Sequence, residues 1–208
     1  MDENEIARLE AENGFHQIEQ GIEVIKYYLE PNRPFALRPG LILELQEIAV
    51  KGLVPNPGQW RKTMVRIEKS KHQPPAPHLV ENLILEMCDY VNDNRHTQTA
   101  FHLAAFVMWR HNWIHPFEDG NGQTSRVLSY IVLSICVGYM LPGTPTIPEQ
   151  IQGDRSGYFD ALEKADAAWL GNADLDVTVM EKLLTGMLAK QLLSVIDGAS
   201  ATKAPQKS

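Results

Sequence analysis

Hydrophobic residues recur every three or four positions along most of the chain, which is the spacing of an α-helix that packs on one face. Ile18, Ile22, Ile25 and Leu29 form one such stripe. Residues 127–137 differ because they are predominantly apolar on all sides and lack Pro and Gly, which is typical of a central, buried helix. We therefore expect an all-α bundle around this helix. The pattern places further helices near residues 41–48, 80–91, 97–113, 156–169 and 178–196, with a Pro-rich link at residues 141–148.

One stretch has a different period. In residues 63–68, Thr, Val and Ile alternate with Met, Arg and Glu, which is the pattern of a half-exposed β-strand. Pro74 and Pro75 follow this stretch and precede the next helix. We therefore predict one β-hairpin in an otherwise helical fold. The exposed edge of such a hairpin can pair with an extended segment of another protein, although an ordinary surface hairpin fits the pattern too.

Length and composition fit a single compact domain. The chain has 208 residues, 44% of them hydrophobic, which is enough to bury a core. We divide it into an N-terminal helical arm (1–30), a core (31–197) and a disordered tail (198–208), because the last residues are small and polar. The net charge of -7 argues against a nucleic-acid partner, which normally requires a basic surface.

The sequence gives no sign of export or membrane insertion. Its N-terminus is acidic and lacks the apolar core of a signal peptide. Residues 127–137 fall well short of the roughly 20 residues that a membrane span needs. Cys88 and Cys136 both lie in apolar helical surroundings, so we predict two buried thiols. These features favour a reducing, cytoplasmic setting and no membrane partner.

Residues 115–126 carry the densest group of chemically active side chains. The imidazole of His115 is a candidate general base, because its ordinary pKa lies near neutrality. The carboxylate of Asp119 suits Mg²⁺, which binds one or two carboxylates together with phosphate oxygens. Residues 120–122 (Gly-Asn-Gly) precede the predicted central helix, so their N–H groups can bind phosphate at a helix N-terminus. Arg126 lies one turn further along and can reach the same anion. A glycine-rich turn that only caps a core helix is the alternative.

The order of these residues resembles the signature of the Fic family, H-x-F-x-[D/E]-G-N-G-R-x-x-R. Every defined position matches except one, where Gln123 replaces the first arginine. Members of this family typically transfer AMP from Mg-ATP to a hydroxyl group of a target protein. The resemblance implies that His115 deprotonates the target hydroxyl and that Phe117 anchors the loop. It also implies that Asp119 holds Mg²⁺ and that Arg126 binds the γ-phosphate of ATP.

The resemblance continues outside this motif. Residues 60–75 are similar to the family's flap, which docks an extended stretch of target beside the base. Residues 155–159 resemble an R-x-x-Y-Y segment whose aromatic side chains lie by the nucleoside, although core aromatics fit equally well. We assign target docking to Val65, Arg66, Ile67 and Glu68. We assign nucleotide and phosphate binding to Asp119, Gly120, Asn121, Gly122, Gln123, Thr124, Ser125, Arg126, Tyr158, Phe159 and Asp166. Asp166 stands at a position where relatives often carry Asn.

The N-terminal arm matches part of another family motif. Many members carry an inhibitory helix with the pattern [S/T]-x-x-x-E-[G/N], whose glutamate pairs with the second arginine of the signature and displaces the γ-phosphate. Glu12 and Asn13 fit this pattern, but Arg8 stands at the Ser/Thr position. A helix that is capped by Asp2 and ends before Gly14 would present Glu12 near its C-terminus. We assign an inhibitory role to Glu12, with a solvated glutamate as the alternative.

Three functions are consistent with the sequence. The first, which we favour, is an active protein adenylyltransferase. The second is a nucleotide-binding protein with weakened transfer, because Gln123 removes a cation that can bind phosphate through two hydrogen bonds. The third is a toxin-like enzyme controlled by a separate antitoxin partner. The expected partners are ATP and an unidentified target protein, while self-modification, a homodimer and the removal of AMP from a modified protein stay open.

Overall fold

The computed structural model describes residues 1–68 and 70–201 of the chain, and its regular structure is helical. The all-α class is confirmed, as are the helices predicted after residue 40. The helices are α1 (Glu3–Leu29), α2 (Pro39–Ala49), α3 (Val80–Asn94), α4 (Ala100–Ile114), α5 (Asn121–Val137), α6 (Ile147–Gly153), α7 (Ser156–Asn172) and α8 (Thr178–Ala201), with a 3₁₀ turn (Pro77–Leu79) before α3.

The predicted central helix is confirmed by α5. Its residues from 124 to 134 are all buried, and it packs against α1, α2, α4 and α6. The hydroxyl of Ser129 donates a hydrogen bond to the carbonyl of Ala104 in α4 (2.8 Å), which satisfies a polar group inside the apolar core. α1 approaches α5 closely at Gly21, where a Cβ atom would come within 2.9 Å of Val127. The core therefore forms around α5 and fixes the position of its N-terminus.

The N-terminal arm is one long helix, so the predicted helix end after Glu12 is wrong. α1 begins where the carboxylate of Asp2 accepts a hydrogen bond from the N–H of Glu5 (2.8 Å), as predicted for an N-cap. Asn13 is buried, and its side-chain amide donates to the carbonyl of Lys51 (2.8 Å). Because this tertiary contact satisfies its polar side chain, Asn13 continues the helix where the local pattern indicated a stop.

α6 is an element that the hydrophobic pattern does not predict. It lies partly in the segment that the sequence marks as a Pro-rich link. Pro148 occupies the first turn of α6, where its missing N–H costs no helical hydrogen bond. The carboxylate of Glu149 accepts hydrogen bonds from the N–H and the hydroxyl of Thr146 (2.6 and 2.8 Å), which caps the start of the helix. Proline therefore begins a helix here, where the sequence analysis predicts only a link.

The predicted β-hairpin is absent, because residues 60–68 and 70–75 contain no strand. The alternating pattern that suggested a hairpin does appear as alternating burial of the side chains. Val65 and Ile67 are half-buried, and the residues beside them are exposed. Alternating burial decides which side chains face the protein, whereas a β-ladder also needs paired backbone groups. The segment is therefore an extended loop with one side against the domain.

A buried side chain holds this loop where backbone pairing was expected. The guanidinium of Arg61 donates hydrogen bonds to the carbonyls of Thr63 (3.0 Å) and Pro75 (2.6 Å). These two carbonyls lie near the two ends of the loop, so Arg61 closes its base. Hydrogen bonds from a side chain to backbone carbonyls cannot be inferred from a hydrophobic pattern, which explains why the pattern favoured a hairpin.

The C-terminal helix α8 extends to Ala201. The tail that we predicted to be disordered starts at residue 198, so α8 includes its first residues, and residues 202–208 lie outside the described part of the chain. Neither α8 nor any other helix within residues 1–68 and 70–201 is both long and apolar enough to cross a membrane.

Candidate active site

The loop between α4 and α5 carries the signature motif, and it begins at His115. α4 ends at Ile114, and His115 follows in a left-handed backbone conformation with φ of +50°. Its N–H bonds to the carbonyl of His111 (2.9 Å). Non-glycine residues rarely adopt this conformation, so the surrounding structure must hold it. The turn places the candidate base directly at the end of a buried helix.

Asn121 and Phe117 fasten the loop to the core. The side-chain amide of Asn121 accepts a hydrogen bond from the N–H of Phe117 and donates one to its carbonyl, both at 2.9 Å. The ring of Phe117 is fully buried, with its centroid 5.0 Å from that of Trp60 and 5.9 Å from that of His111. The amide of Asn121 is therefore engaged inside the protein, which leaves its backbone N–H for the predicted phosphate contact.

Gly120 forms the turn into α5. It has φ of +80°, and a Cβ atom at this position would come within 2.7 Å of Val50. Both the conformation and the close approach require glycine. The first N–H groups of a helix lack carbonyl acceptors within it and carry the positive end of its dipole. Residues 120–122 therefore lie at a helix N-terminus where backbone N–H groups can meet an anion, and their contact with phosphate stays a prediction.

The hydroxyl groups of Thr124 and Ser125 are engaged within the protein. Thr124 is buried, and its Oγ1 accepts a hydrogen bond from the amide of Gln17 (3.4 Å). The Ser125 hydroxyl donates to the carbonyl of Gly122 (3.0 Å) and accepts from the amide of Asn112 (2.8 Å). In this structure both side chains shape the first turn of α5, and their predicted contact with phosphate stays untested.

Arg126 lies against this turn. Its Nη1 atom is 3.3 Å from the position of a Cβ atom on Gly122, and its Nη2 donates to the side-chain oxygen of Gln152 (2.8 Å). Burial lowers the pKa of Arg126, although a guanidinium remains charged at neutral pH. Gln123, by contrast, is half-buried, and its side chain makes no hydrogen bond within the residues that the structure describes. The motif therefore presents one cation where the family signature has two.

Asp119 is exposed at the tip of the loop. One carboxylate oxygen accepts a hydrogen bond from the N–H of Gly120 (2.7 Å), and its carbonyl accepts one from the amide of Gln46 (3.1 Å). In the described ranges, no group of three or more His, Cys, Asp or Glu side chains is arranged to hold a metal ion. Asp119 fits Mg²⁺ as a single carboxylate ligand, with phosphate oxygens and water supplying the others.

The imidazole of His115 is uncharged at neutral pH. Its pKa is lowered to about 4, chiefly by burial; Arg61 and His72 contribute in the same direction, while the backbone of Asn112 and the carboxylate of Asp119 act in the opposite direction. Its Nδ1 atom is buried and has no hydrogen-bond partner. An uncharged ring can accept a proton, which is the first requirement of the role that the sequence predicts.

Arg61 is a site residue that the sequence analysis did not identify. Besides the two loop carbonyls described above, its guanidinium donates to the carbonyls of His115 (2.7 Å) and Ile114 (3.3 Å). Its backbone N–H bonds to the carbonyl of Pro116 (2.9 Å). A cation in this place meets the negative end of the α4 dipole. Nothing in the sequence distinguishes this buried arginine from its exposed neighbour Lys62.

The segment predicted to dock a target protein borders the catalytic loop. The hydroxyl of Thr63 donates to the carboxylate of Glu118 in that loop (3.3 Å). Near the other end of the segment, Nε2 of His72 lies 2.7 Å from the carbonyl of Trp113. Residues 65–68 lie between these contacts, and their role in target docking stays a prediction.

The predicted nucleoside-binding side chains lie on α7. Tyr158 is buried, with its hydroxyl 3.4 Å from that of Ser125, which brings it to the first turn of α5. Phe159 is 52% exposed, so it is not a core aromatic. Asp166 accepts a hydrogen bond from the indole N–H of Trp109 (2.8 Å), and burial raises its pKa. Contact of these three residues with a nucleoside stays a prediction.

Glu12 has a different partner from the one that its inhibitory role requires. Its carboxylate accepts a hydrogen bond from Arg8, one turn earlier on α1 (2.9 Å), and both side chains are exposed. Within the described part of the chain, no ion pair joins Glu12 to Arg126. Arg8, which stands at the Ser/Thr position of the inhibitory motif, therefore pairs with the glutamate of that motif, Glu12.

Comparison with known proteins points to one family. Residues 36–133 match the model of the Fic/DOC family. A protein named protein adenylyltransferase Fic, from Nematostella vectensis, is 32% identical over 110 residues, which are 52% of this chain and 24% of that protein. A Fido domain-containing protein from Dictyostelium discoideum is 29% identical over 119 residues, or 56% of this chain and 77% of that one. The resemblance carried by the signature motif is therefore confirmed.

Solved structures share the fold. A Fic domain containing signaling protein from Bacteroides thetaiotaomicron has a TM-score of 0.73 at 22% identity, covering 93% of this chain and 74% of that one. A fragment of Fic-1 from C. elegans has a TM-score of 0.69 at 19% identity, covering 90% of this chain and 51% of that fragment. Similarity at this level of identity establishes the fold alone.

Proposed function

Since residues 36–133 match the model of the Fic/DOC family, we propose that this protein transfers AMP from Mg-ATP to a Ser, Thr or Tyr hydroxyl of a target protein. One observation carries the proposal: a short loop joins His115 at the end of α4 to the N-terminus of α5 at residues 120–122, a place where helix N–H groups can bind an anion. Such a transfer requires a base for the hydroxyl and a site for phosphate. Relatives named protein adenylyltransferase support the same activity.

In the proposed reaction, the target hydroxyl attacks the α-phosphorus of ATP and its proton passes to a ring nitrogen of His115. Pyrophosphate leaves as the bond between the α-phosphorus and the bridging oxygen breaks. The N–H groups at the start of α5 and the guanidinium of Arg126 hold phosphate oxygens. When bound at Asp119, Mg²⁺ neutralises charge on the phosphates. Positioning and charge neutralisation supply most of the catalysis in reactions of this class.

Labelled ATP tests the activity directly. The protein is incubated with ATP labelled at the α-phosphate, Mg²⁺ and a cell lysate, and protein-bound label is measured. We expect labelling by the wild type and by His16→Ala, a control at an exposed histidine on α1. His115→Ala should abolish labelling while its affinity for Mg-ATP stays within about twofold, because the imidazole acts on the hydroxyl and does not hold the nucleotide. Labelling by His115→Ala at the wild-type rate would show that the base is another group.

A nucleotide-binding protein with weakened transfer is the second candidate. It is favoured by Gln123, which stands beside the phosphate site without the charge of the family arginine. Gln123→Arg distinguishes the two candidates. If the wild type binds Mg-ATP but labels no protein, and Gln123→Arg labels, transfer in this chain is limited by the missing cation. A labelling rate that is already high in the wild type and unchanged in the variant excludes this candidate.

Control of the site by a separate partner is favoured over self-inhibition by the pairing of Glu12 with Arg8. To inhibit in the manner of the family motif, Glu12 would have to leave Arg8 and reach Arg126. We therefore expect Glu12→Ala to leave the rate of labelling within about twofold of the wild type, since its carboxylate makes no ion pair with Arg126 in the described residues. A tenfold or larger increase would establish self-inhibition through Glu12.

A further inference from the structure

Two arginine side chains meet at a single neutral oxygen beside the start of α5. The side-chain oxygen of Gln152 accepts hydrogen bonds from Nη2 of Arg126 (2.8 Å) and from Nη2 of Arg155 (2.9 Å). Arg126 also lies against Gly122, so this group is continuous with the phosphate-binding turn. Arg126 is buried, whereas Arg155 and Gln152 are exposed. The second cation therefore stands at the open side of the site.

The charge of this pair is not neutralised by the protein. Neither guanidinium forms an ion pair with a carboxylate in residues 1–68 or 70–201. The carboxylate next to Arg155 in sequence, Asp154, instead accepts hydrogen bonds from the N–H and the hydroxyl of Ser156 (2.9 and 2.7 Å). Arg155 also lowers the pKa of Arg126, in addition to the larger effect of burial. Two neighbouring cations that share only an amide oxygen favour binding of an anion with several oxygen atoms.

We propose that Arg126 and Arg155 together bind the terminal phosphate of a nucleoside triphosphate, so that Arg155 supplies the cation that Gln123 lacks. Gln152 aligns the two guanidinium groups through its oxygen while leaving their charge available. This inference rests on the proposed function, because it places the triphosphate at the start of α5. It adds Arg155, which lies directly before α7 and outside the signature motif, as a cation for the charge that Gln123 does not supply.

Binding measurements with Mg-ATP and Mg-ADP test the assignment, since the two ligands differ by the terminal phosphate. Arg155→Gln should weaken binding of Mg-ATP about tenfold and binding of Mg-ADP less than twofold. Lys164→Gln is the control, because it removes one exposed cation from α7, the helix that Arg155 directly precedes, and should leave both affinities unchanged. Equal loss of affinity for both ligands, or no loss for either, would overturn the assignment.

Gln152→Glu separates ligand binding from a structural role. A carboxylate at this position would pair with both guanidinium groups, so the melting temperature should hold or rise while affinity for Mg-ATP falls about tenfold or more. If the variant binds Mg-ATP as tightly as the wild type, the two arginines do not bind its phosphate. In the Gln123→Arg background, Arg155→Gln should cost less than threefold in Mg-ATP affinity, because the restored arginine replaces the lost one. A full tenfold loss in that background would refute compensation.

The outcome for the wild type separates the two proposals. If it binds Mg-ATP more tightly than Mg-ADP and Arg155→Gln retains that preference, the role of Arg155 fails and the proposed transfer of AMP stands. If the wild type binds neither nucleotide, both proposals fail together.

Discussion

Replacement of Arg61 gives the sharpest test of how the domain positions its candidate base. The guanidinium donates to four carbonyls, at Thr63, Pro75, Ile114 and His115, and the side chain is 3% exposed. Two of these carbonyls belong to the loop that we predict to dock the target protein, and two to the end of α4. Arg61 therefore joins the docking segment and the catalytic turn through one side chain.

The cost of its removal follows from these contacts. A hydrogen bond to a charged group contributes about 1.5–3 kcal/mol, and bonds that share one guanidinium are not additive. We expect Arg61→Met to destabilise the protein by about 3–5 kcal/mol, because it removes four such hydrogen bonds at once and leaves their carbonyl acceptors without this donor. Arg61→Lys keeps the charge but loses the planar fork, so about half of this cost is expected. In a chain of this length, 1 kcal/mol corresponds to roughly 2–4 °C in melting temperature.

The two variants should differ in the pKa of His115, although both should lower kcat. Arg61 lowers the pKa of His115, so Arg61→Met should raise that pKa toward the ordinary value, whereas Arg61→Lys should largely preserve it. Both should lower kcat for labelling about a hundredfold, because the left-handed turn at His115 loses a hydrogen bond that holds it. The assays are thermal unfolding, NMR titration of the His115 ring, and the rate of labelling at saturating Mg-ATP.

Lys62→Met is the control, because Lys62 is the exposed neighbour of Arg61. It should change none of the three readouts appreciably. The reasoning fails if Arg61→Met loses stability but keeps both the wild-type kcat and the wild-type titration of His115, since Arg61 would then only stabilise the fold.

Three further predictions concern the pH dependence of catalysis, the pH dependence of stability, and the roles of Asn121 and Asp119. The acid limb of kcat/KM should have its midpoint near pH 4, the lowered pKa of His115, and a midpoint near 6.5 would show that another group titrates. Burial lowers the pKa of His111 to about 3, so the unfolded chain binds a proton that the folded chain excludes, and stability falls as pH drops from about 6.5 toward 3. Urea unfolding should show that the contribution of His111 lowers the free energy of unfolding by about 2 kcal/mol between pH 7 and pH 5, and this contribution should be absent in His111→Phe. Asn121→Ala should lower both the melting temperature and the labelling rate, whereas Asp119→Ala should weaken Mg²⁺-dependent nucleotide binding, and labelling with it, while leaving the melting temperature unchanged, because Asn121 holds the loop and Asp119 faces solvent.

Most helices could be predicted because their evidence is local. The stripe from Ile18 to Leu29 lies within α1, and the all-round apolar pattern of residues 127–137 identified the buried helix correctly. The errors have tertiary causes. The predicted stop at Asn13 was overridden by its bond to Lys51, and the predicted hairpin by the bonds of Arg61. Asn13 bonds to a residue 38 positions away, and Arg61 bonds both to Thr63, two positions away, and to Pro75, 14 positions away; a hydrophobic pattern indicates none of these bonds.

The candidate site shows the same limit. The signature motif located His115, Asp119 and the start of α5, because these lie next to one another in sequence. Arg61 and Arg155 were not assigned as site residues, since the link of Arg61 to His115 and the link of Arg155 to Arg126 through Gln152 arise only in the folded chain. The burial of a charged residue, or its lack of a carboxylate partner, can be seen in the structure but not in the sequence.

The signature motif serves two different purposes, and this determines what the change at Gln123 means. Phe117 and Asn121 are engaged in the core and build the loop, while His115 and Asp119 are the residues to which the proposed function assigns the chemistry. Gln123 belongs to neither group in this structure, because its side chain forms no hydrogen bond within the described residues. Its replacement of arginine therefore leaves the loop intact and changes only the charge that the site presents to phosphate. Whether the protein transfers AMP quickly then depends on cations supplied from outside the motif, and Arg155 is the cation in the described structure that is placed to supply one.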